Sequence, residues 1–118
     1  MGNSYYFQPF KYGNRKVTVD GVTFASKREA GRYQELRLLE RAKQISDLRL
    51  QVTFELIPKQ KDPETGEVIH AIKYIADFVY KDENGREIVE DAKGYRTSDF
   101  VIKQKLMLYM KGIKVHEV

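Results

Sequence analysis

The sequence predicts an α/β domain on a mixed sheet, ordered helix, three strands, helix, strand, with a small β-hairpin in front. Three observations carry this reading. Ser26-Lys27-Arg28-Glu29 has the Ser-x-x-Glu spacing of a capping box, and strong helix formers follow it. Leu48 to Leu56 alternates, apolar at even and polar at odd positions, as a half-exposed strand does. Two hydrophobic runs flank Asn84-Gly85, the strongest short-range hairpin signal a sequence offers.

Residues 1–15 read as an N-terminal arm, with Tyr5, Tyr6, Phe7, Phe10 and Tyr12 around Pro9 and no clear period. Such an arm packs on its own domain, on a second subunit or against bases, and packing is the first expectation. Residues 16–118 read as a single domain, since 118 residues suffice for one core. Lys16 to Phe24 forms the small hairpin, turning at Asp20-Gly21. The first helix runs from the capping box to about Lys43. Its inner stripe is Ala30, Tyr33, Leu36 (or Arg37) and Leu39, and Lys27, Arg28, Arg32, Arg37, Arg41 and Lys43 occupy the rest.

Pro58 ends the alternating strand, and Lys59 to Glu67 is expected to be a mobile charged connection. Val68 to Tyr80 is apolar on both faces and reads as a central strand, with Arg86 to Lys93 as its hairpin partner. Thr97 or Ser98 caps a second helix, with Asp99 in its first turn and Gly112 just past its end. Ile102, Leu106 and Tyr109 are its expected buried stripe. Ile113 to Val118 is a terminal strand, and the right-handed crossover rule makes it parallel to residues 86–93.

Composition excludes several classes. There is no cysteine, so there are no disulfides and no thiolate metal site, and a cytoplasmic setting is expected. No apolar run approaches the roughly 20 residues of a membrane span, and no signal peptide is visible. The net charge of +4 is compatible with a polyanionic partner but does not identify one.

The Tyr74–Gly94 stretch carries acids where apolar residues belong, Asp77 in its first run and Asp91 in its second, with Lys93 two positions on. Residues two apart in a strand share a face, so Asp91 and Lys93 point the same way. Setting Asp77 beside Asp91 requires paired residues whose numbers sum to 168. That register leaves Glu83-Asn84-Gly85 as a three-residue loop with Gly85 at its left-handed position. A two-residue Asn-Gly loop would set Asp77 opposite Ala92 instead. The three-residue loop is favoured because it juxtaposes the acids.

Clustered carboxylates cost several kcal/mol to bury unless a cation shares the site. Mg²⁺ takes one or two carboxylates and completes its sphere with water and phosphate oxygens. It acidifies a bound water and stabilises a phosphodiester under attack. A nearby lysine can orient that water or steady the phosphate. Asp77, Asp91 and Lys93 thus form a minimal set for metal-assisted hydrolysis of nucleic acid. Gly94 lets the backbone approach a ligand closely.

This arrangement, Asp77 then Asp91-x-Lys93 across a hairpin, then a helix and a parallel strand, resembles the PD-(D/E)XK (restriction-endonuclease-like) nuclease superfamily. Val-Asp-Gly-x-x-Phe-x-Ser-Lys-x-Glu-Ala, Tyr-Ile-Ala-Asp-Phe-x-Tyr and Val-Glu-Asp-x-Lys-Gly are similar to a family of small phage-encoded nucleases of uncertain biological role. The likeness spans about residues 11–118. It implies an αβββαβ core, and a Mg²⁺-dependent DNA endonuclease in which Mn²⁺ can substitute. It implies Asp77 and Asp91 as metal ligands, the Ala92 carbonyl as a further ligand, Lys93 as the catalytic lysine and Glu29 as an extra carboxylate. Ala76 stands where the name-giving proline would be. Resolvases of branched DNA belong to the superfamily, so phage recombination, replication or packaging in the bacterial host cytoplasm is the implied setting.

Plainer readings stand beside these. Glu29 is also the capping-box glutamate. Glu90 precedes Asp91, but strand parity sends it to the opposite face, so it is not counted as a ligand. Arg28 and Arg32 beside Glu29, and Lys103, Gln104 and Lys105 on the second helix, are candidate DNA contacts, although charged helix faces are usually solvated. His70 and His116 lack spaced partners and read as structural. Expected partners are DNA and a second copy of the chain, since a two-fold dimer is the simplest way to cut both strands. Neither a membrane nor an organic cofactor is expected. The competing function is a non-catalytic nucleic-acid-binding or assembly module on the same fold.

Overall fold

The computed structural model describes residues 15–93 and 95–118. The aromatic run of the N-terminal arm and Gly94 lie outside the described residues. Val17–Val19 (β1) and Val22–Phe24 (β2) pair antiparallel, and both turn residues are left-handed, Asp20 at φ 53° and Gly21 at φ 76°. A two-residue turn with both φ values positive matches the twist of its strands. Ser26 then opens α1 (Lys27–Arg41), its Oγ accepting the Glu29 N–H at 3.2 Å. Ala30, Tyr33 and Leu36 are buried as the stripe predicts, with Glu29 added. The helix stops two residues short of Lys43, which is left-handed at φ 61° and reverses the chain.

β3 (Ser46–Ile57) is longer than the alternating pattern. The connection expected to be mobile is instead a hairpin of β4 (Gln60–Lys61) and β5 (Val68–Ile69). Asp62 organises its turn: Oδ1 accepts the N–H groups of Glu64 at 2.8 Å and Thr65 at 3.3 Å. Its backbone bonds Glu67 and Gly66, both at 2.8 Å. The expected strand from Val68 is therefore broken at His70-Ala71, and β6 (Ile72–Lys81) begins afterwards.

β6 is central, but only its second half is buried on both faces; Ile72 and Ile75 are exposed. The reason is pairing. β7 (Glu87–Asp91) lies beside β6 only from Phe78 onward. α2 (Ser98–Lys111) has Thr97 as its N-cap and Gly112 as a left-handed C-cap at φ 67°, and β8 (Val115–Glu117) follows. The sheet order is β3-β6-β7-β8, and β8 is parallel to β7 as the crossover rule requires.

The stripe expected on α2 is corrected. Phe100 and Met107 are buried and the expected Leu106 packs partly buried against the same core, whereas Ile102 is 56% and Tyr109 85% exposed. Gln104 lies between the two buried residues at helical spacing and donates to the Val115 carbonyl at 3.3 Å. A polar residue on the inner line hid its phase from a hydrophobicity pattern.

Each helix covers its own core. Phe24, Ala30, Tyr33, Leu36, Phe78 and Tyr80 cluster under α1. Leu56, Tyr74, Ala76, Val79, Val89, Phe100, Met107 and Val115 cluster with α2. Along β3, Leu48 and Leu50 join the α1 cluster, while Val52, Phe54 and Leu56 join the α2 cluster, although all five are even-numbered. β6 behaves likewise, with Tyr74 and Ala76 on one side and Phe78 and Tyr80 on the other. Both strands change allegiance at one level, that of Gln51 and Asp77.

Candidate metal and catalytic centre

The β6–β7 register fixes the site. Phe78 pairs with Glu90, Val79 with Val89, Tyr80 with Ile88 and Lys81 with Glu87, each summing to 168 as the three-residue loop requires. Gly85 takes the left-handed position at φ 79°, and Asp82 Oδ1 holds the Asn84 and Arg86 amides at 2.9 Å. The ladder ends at Phe78–Glu90. One step further β7 keeps β8 as its partner, Asp91 lying opposite Glu117. The Ala92 N–H donates to Asp77 Oδ2 at 3.0 Å. The two acids thus stand where the two central strands part.

Asp91 is 1% exposed. Its Oδ2 accepts the Tyr74 hydroxyl at 2.5 Å. Among the described residues its Oδ1 accepts no hydrogen bond, and it faces the Lys93 ammonium at 3.4 Å. Burial, reinforced by hydrogen bonding and charge from Asp77, raises the Asp91 carboxyl to about 7, against the opposing pull of Tyr74 and Lys93. Lys93 Nζ also lies 4.9 Å from the centre of the Phe100 ring.

Glu29 reaches the site from the start of α1. Its carboxyl is raised by burial and then by the charge of Asp77, against the opposing hydrogen bond of the Ala25 backbone. Ser26 makes its half of the capping box, while the Glu29 carboxyl turns to Gln51, the Ala25 backbone and the charge of Asp77 rather than to the Ser26 amide. Between Glu29 and Asp77 lies Gln51, whose side-chain amide donates to Glu29 Oε2 at 3.2 Å and to Asp77 Oδ1 at 3.1 Å. A cleft of about 320 Å³ opens here, walled by Val22 to Ala25, Leu50, Gln51, Glu29 and Asp77. A larger cleft of about 430 Å³ lies at the other end of α1, among Glu40, Asp47, Asp82 and Glu83, remote from this chemistry.

Among the described residues, no three acidic or imidazole groups gather closely enough to hold a metal ion by themselves. The donor set is the Asp77–Asp91 pair, with Glu29 linked to it through Gln51. A hard divalent ion needs only one or two carboxylates. The buried Asp91 oxygen without a hydrogen bond is the kind of acceptor such an ion satisfies. The pair fits Mg²⁺.

The remaining candidates divide. Glu90 lies on the opposite face, as parity predicts, and is fully engaged. Arg32 Nε and Nη2 donate to it at 2.8 and 2.7 Å, and the Tyr80 hydroxyl donates as well. Arg32 also reaches Glu35 at 3.0 Å, so this candidate DNA contact is already committed to carboxylates. Arg28 is exposed and donates to the Val118 carbonyl at 3.3 Å. Lys103 is half-buried and Lys105 exposed on α2. His70 and His116 are both exposed and away from the core.

Sequence reasoning missed Gln51 and Tyr74 as site residues. Tyr74 carried no signal beyond its place at the start of the Asp77 strand. Gln51 sat at an odd, outward-reading position of the alternation.

Residues 9–117 match the model of a family described as protein of unknown function (DUF1064). The chain belongs to that family. No curated protein and no solved structure matches it. The family's description names no activity, so the functional reading of this DUF1064 chain rests on its own residues.

Proposed function

We propose that the chain is a metal-dependent deoxyribonuclease that cleaves internal phosphodiester bonds, on a restriction-endonuclease-like αβββαβ core. One observation carries the reading: Asp77 and Asp91 stand together at the splayed end of the central hairpin, with Lys93 3.4 Å from Asp91. A buried acid raised to about 7 beside a second acid is unfavourable for the fold alone, and a cation relieves it.

Asp77, Asp91 and the Ala92 carbonyl would hold Mg²⁺ or Mn²⁺, with Glu29 as a further carboxylate. When bound, the ion supplies an acidified water and neutralises charge on the phosphodiester. The protein's share is positional. Tyr74 and the Ala92 N–H fix one oxygen of each acid. Lys93, braced by Asp91 and the Phe100 ring, presents its ammonium to a phosphate oxygen or to the attacking water. DNA is the proposed substrate and a second copy of the chain the proposed partner, with both strands cut by a two-fold dimer.

The test is a panel of linear, nicked, flap and four-way-junction DNAs with Mg²⁺ or Mn²⁺, run for the wild type and Asp91→Asn. Cutting by the wild type, abolished by the substitution and by EDTA, is expected. Equal cutting by both proteins sinks the assignment. Metal-independent binding without cutting by either favours the non-catalytic module.

A further inference from the structure

We infer that Gln51 is a positioning residue of the cation site, and that its amide orients Asp77 and holds Glu29 in readiness. The inference rests on the metal-dependent reading above. Its starting point is a backbone outlier: Gln51, inside β3, has φ 53°. That left-handed conformation costs free energy for any residue with a Cβ, and persists only where the surroundings impose it. The flanking pairs, Leu50 with Phe78 and Val52 with Ala76, bracket Gln51 directly across from Asp77.

The backbone alone has a packing explanation. Leu48 and Leu50 serve the α1 core while Val52, Phe54 and Leu56 serve the α2 core, so β3 must turn at this level. Glycine or asparagine would make that turn at lower cost. The choice of glutamine needs a second reason, and the side chain supplies it. A primary amide carries two donors, and here one goes to Glu29 Oε2 and the other to Asp77 Oδ1. Asp77 is then held at both oxygens, by Gln51 and by the Ala92 N–H at 3.0 Å. Two carboxyls that repel are bridged by a neutral donor of the length needed to span them. Groups that hold a metal ligand by hydrogen bonds fix its orientation, and losing one typically costs about 10–100-fold in metal affinity.

The experiment compares wild type, Gln51→Gly and Gln51→Asn in Mn²⁺ titrations by calorimetry, without DNA, at a temperature where all three are folded. Thermal midpoints are recorded alongside. Both substitutes tolerate a left-handed backbone; glycine has no amide, and asparagine is one methylene too short to span both acids. Mn²⁺ affinity should fall about 10–100-fold in each variant, with the Gln51→Gly midpoint at or above that of the wild type. Unchanged affinity in both variants overturns the inference and leaves Gln51 as a bend residue. Tighter binding also overturns it, because the amide would then be competing with the cation. If the wild type itself binds no Mn²⁺, the metal reading fails, and the Gln51 role goes with it.

Discussion

The Tyr74 hydroxyl donates to Asp91 Oδ2 at 2.5 Å, so the most buried acid of the site is held by a phenol from the neighbouring strand. Burial and then the bond to Asp91 push the Tyr74 hydroxyl up, which keeps it protonated and donating. Its ring packs between Phe54 and Phe100, with centroids 6.5 and 6.4 Å away. Tyr74→Phe therefore keeps the packing and removes one donor to Asp91. It should cost about 1–3 kcal/mol by urea denaturation at pH 8, where Asp91 is ionised. It should also move the acidic limb of any cleavage profile to higher pH, because Tyr74 lowers the Asp91 carboxyl. An unchanged profile would show that Asp91 does not govern that limb.

Asp91 also gives the metal-free protein an inverted pH dependence. Its carboxyl lies near 3.8 when unfolded and at about 7 when folded, so between those values the folded state keeps a proton that the unfolded state has lost. The contribution of this group is fully present below about pH 4 and is lost as pH rises through 7. Glu29, raised by burial, adds to the same trend. Asp91→Asn removes the titration while keeping the shape. In EDTA the variant should overtake the wild type as pH rises, by a few kcal/mol at pH 8. Paired melting curves from pH 4 to 8.5 check this, and a variant that does not gain on the wild type as pH rises contradicts it.

Much of this was legible in advance because the chain signals its elements locally. The Ser26–Glu29 spacing, Asn84-Gly85 and Gly112 each sit where the backbone needs them. Strand parity separated Asp91 from Glu90 correctly. The failures are equally specific. Gln104 interrupts the apolar line of α2, so the pattern pointed to Ile102 and Tyr109. Asp62 makes an ordered turn out of a segment that composition called mobile. The even-odd pattern of β3 runs unbroken through Gln51, so the change of face there was invisible; it lies in φ, not in the side-chain order.

Arg32 and Glu90 join α1 to β7 on the side of the sheet away from Asp91. Glu90 is 3% exposed and takes both Arg32 bonds together with the Tyr80 hydroxyl. Arg32→Ala would leave that carboxylate buried without its cation, a change that typically costs about 3–5 kcal/mol. The loss should appear as a lower urea midpoint. DNA affinity at a temperature where the variant is folded should keep its dependence on salt. A shallower salt dependence would return Arg32 to the phosphate-binding set.

Lys103 and Lys105 differ in a way that a DNA-binding measurement can read. Residues two apart on a helix point to different sides, so both cannot follow one phosphate track. Phe100 lies under the Lys93 ammonium, and Lys103 is its neighbour one turn along the same face of α2. Lys103 is thus the cation of the pair that extends the Lys93 side of the site, while Lys105 points elsewhere. Lys103→Ala should lower the slope of log affinity against log salt by about 0.9, the value of one duplex phosphate contact. Lys105→Ala should leave the slope unchanged. Titrations of duplex DNA from low to moderate salt, in Ca²⁺ to hold off cutting, distinguish the two, and wild-type slopes for both variants would remove α2 from the DNA-facing surface.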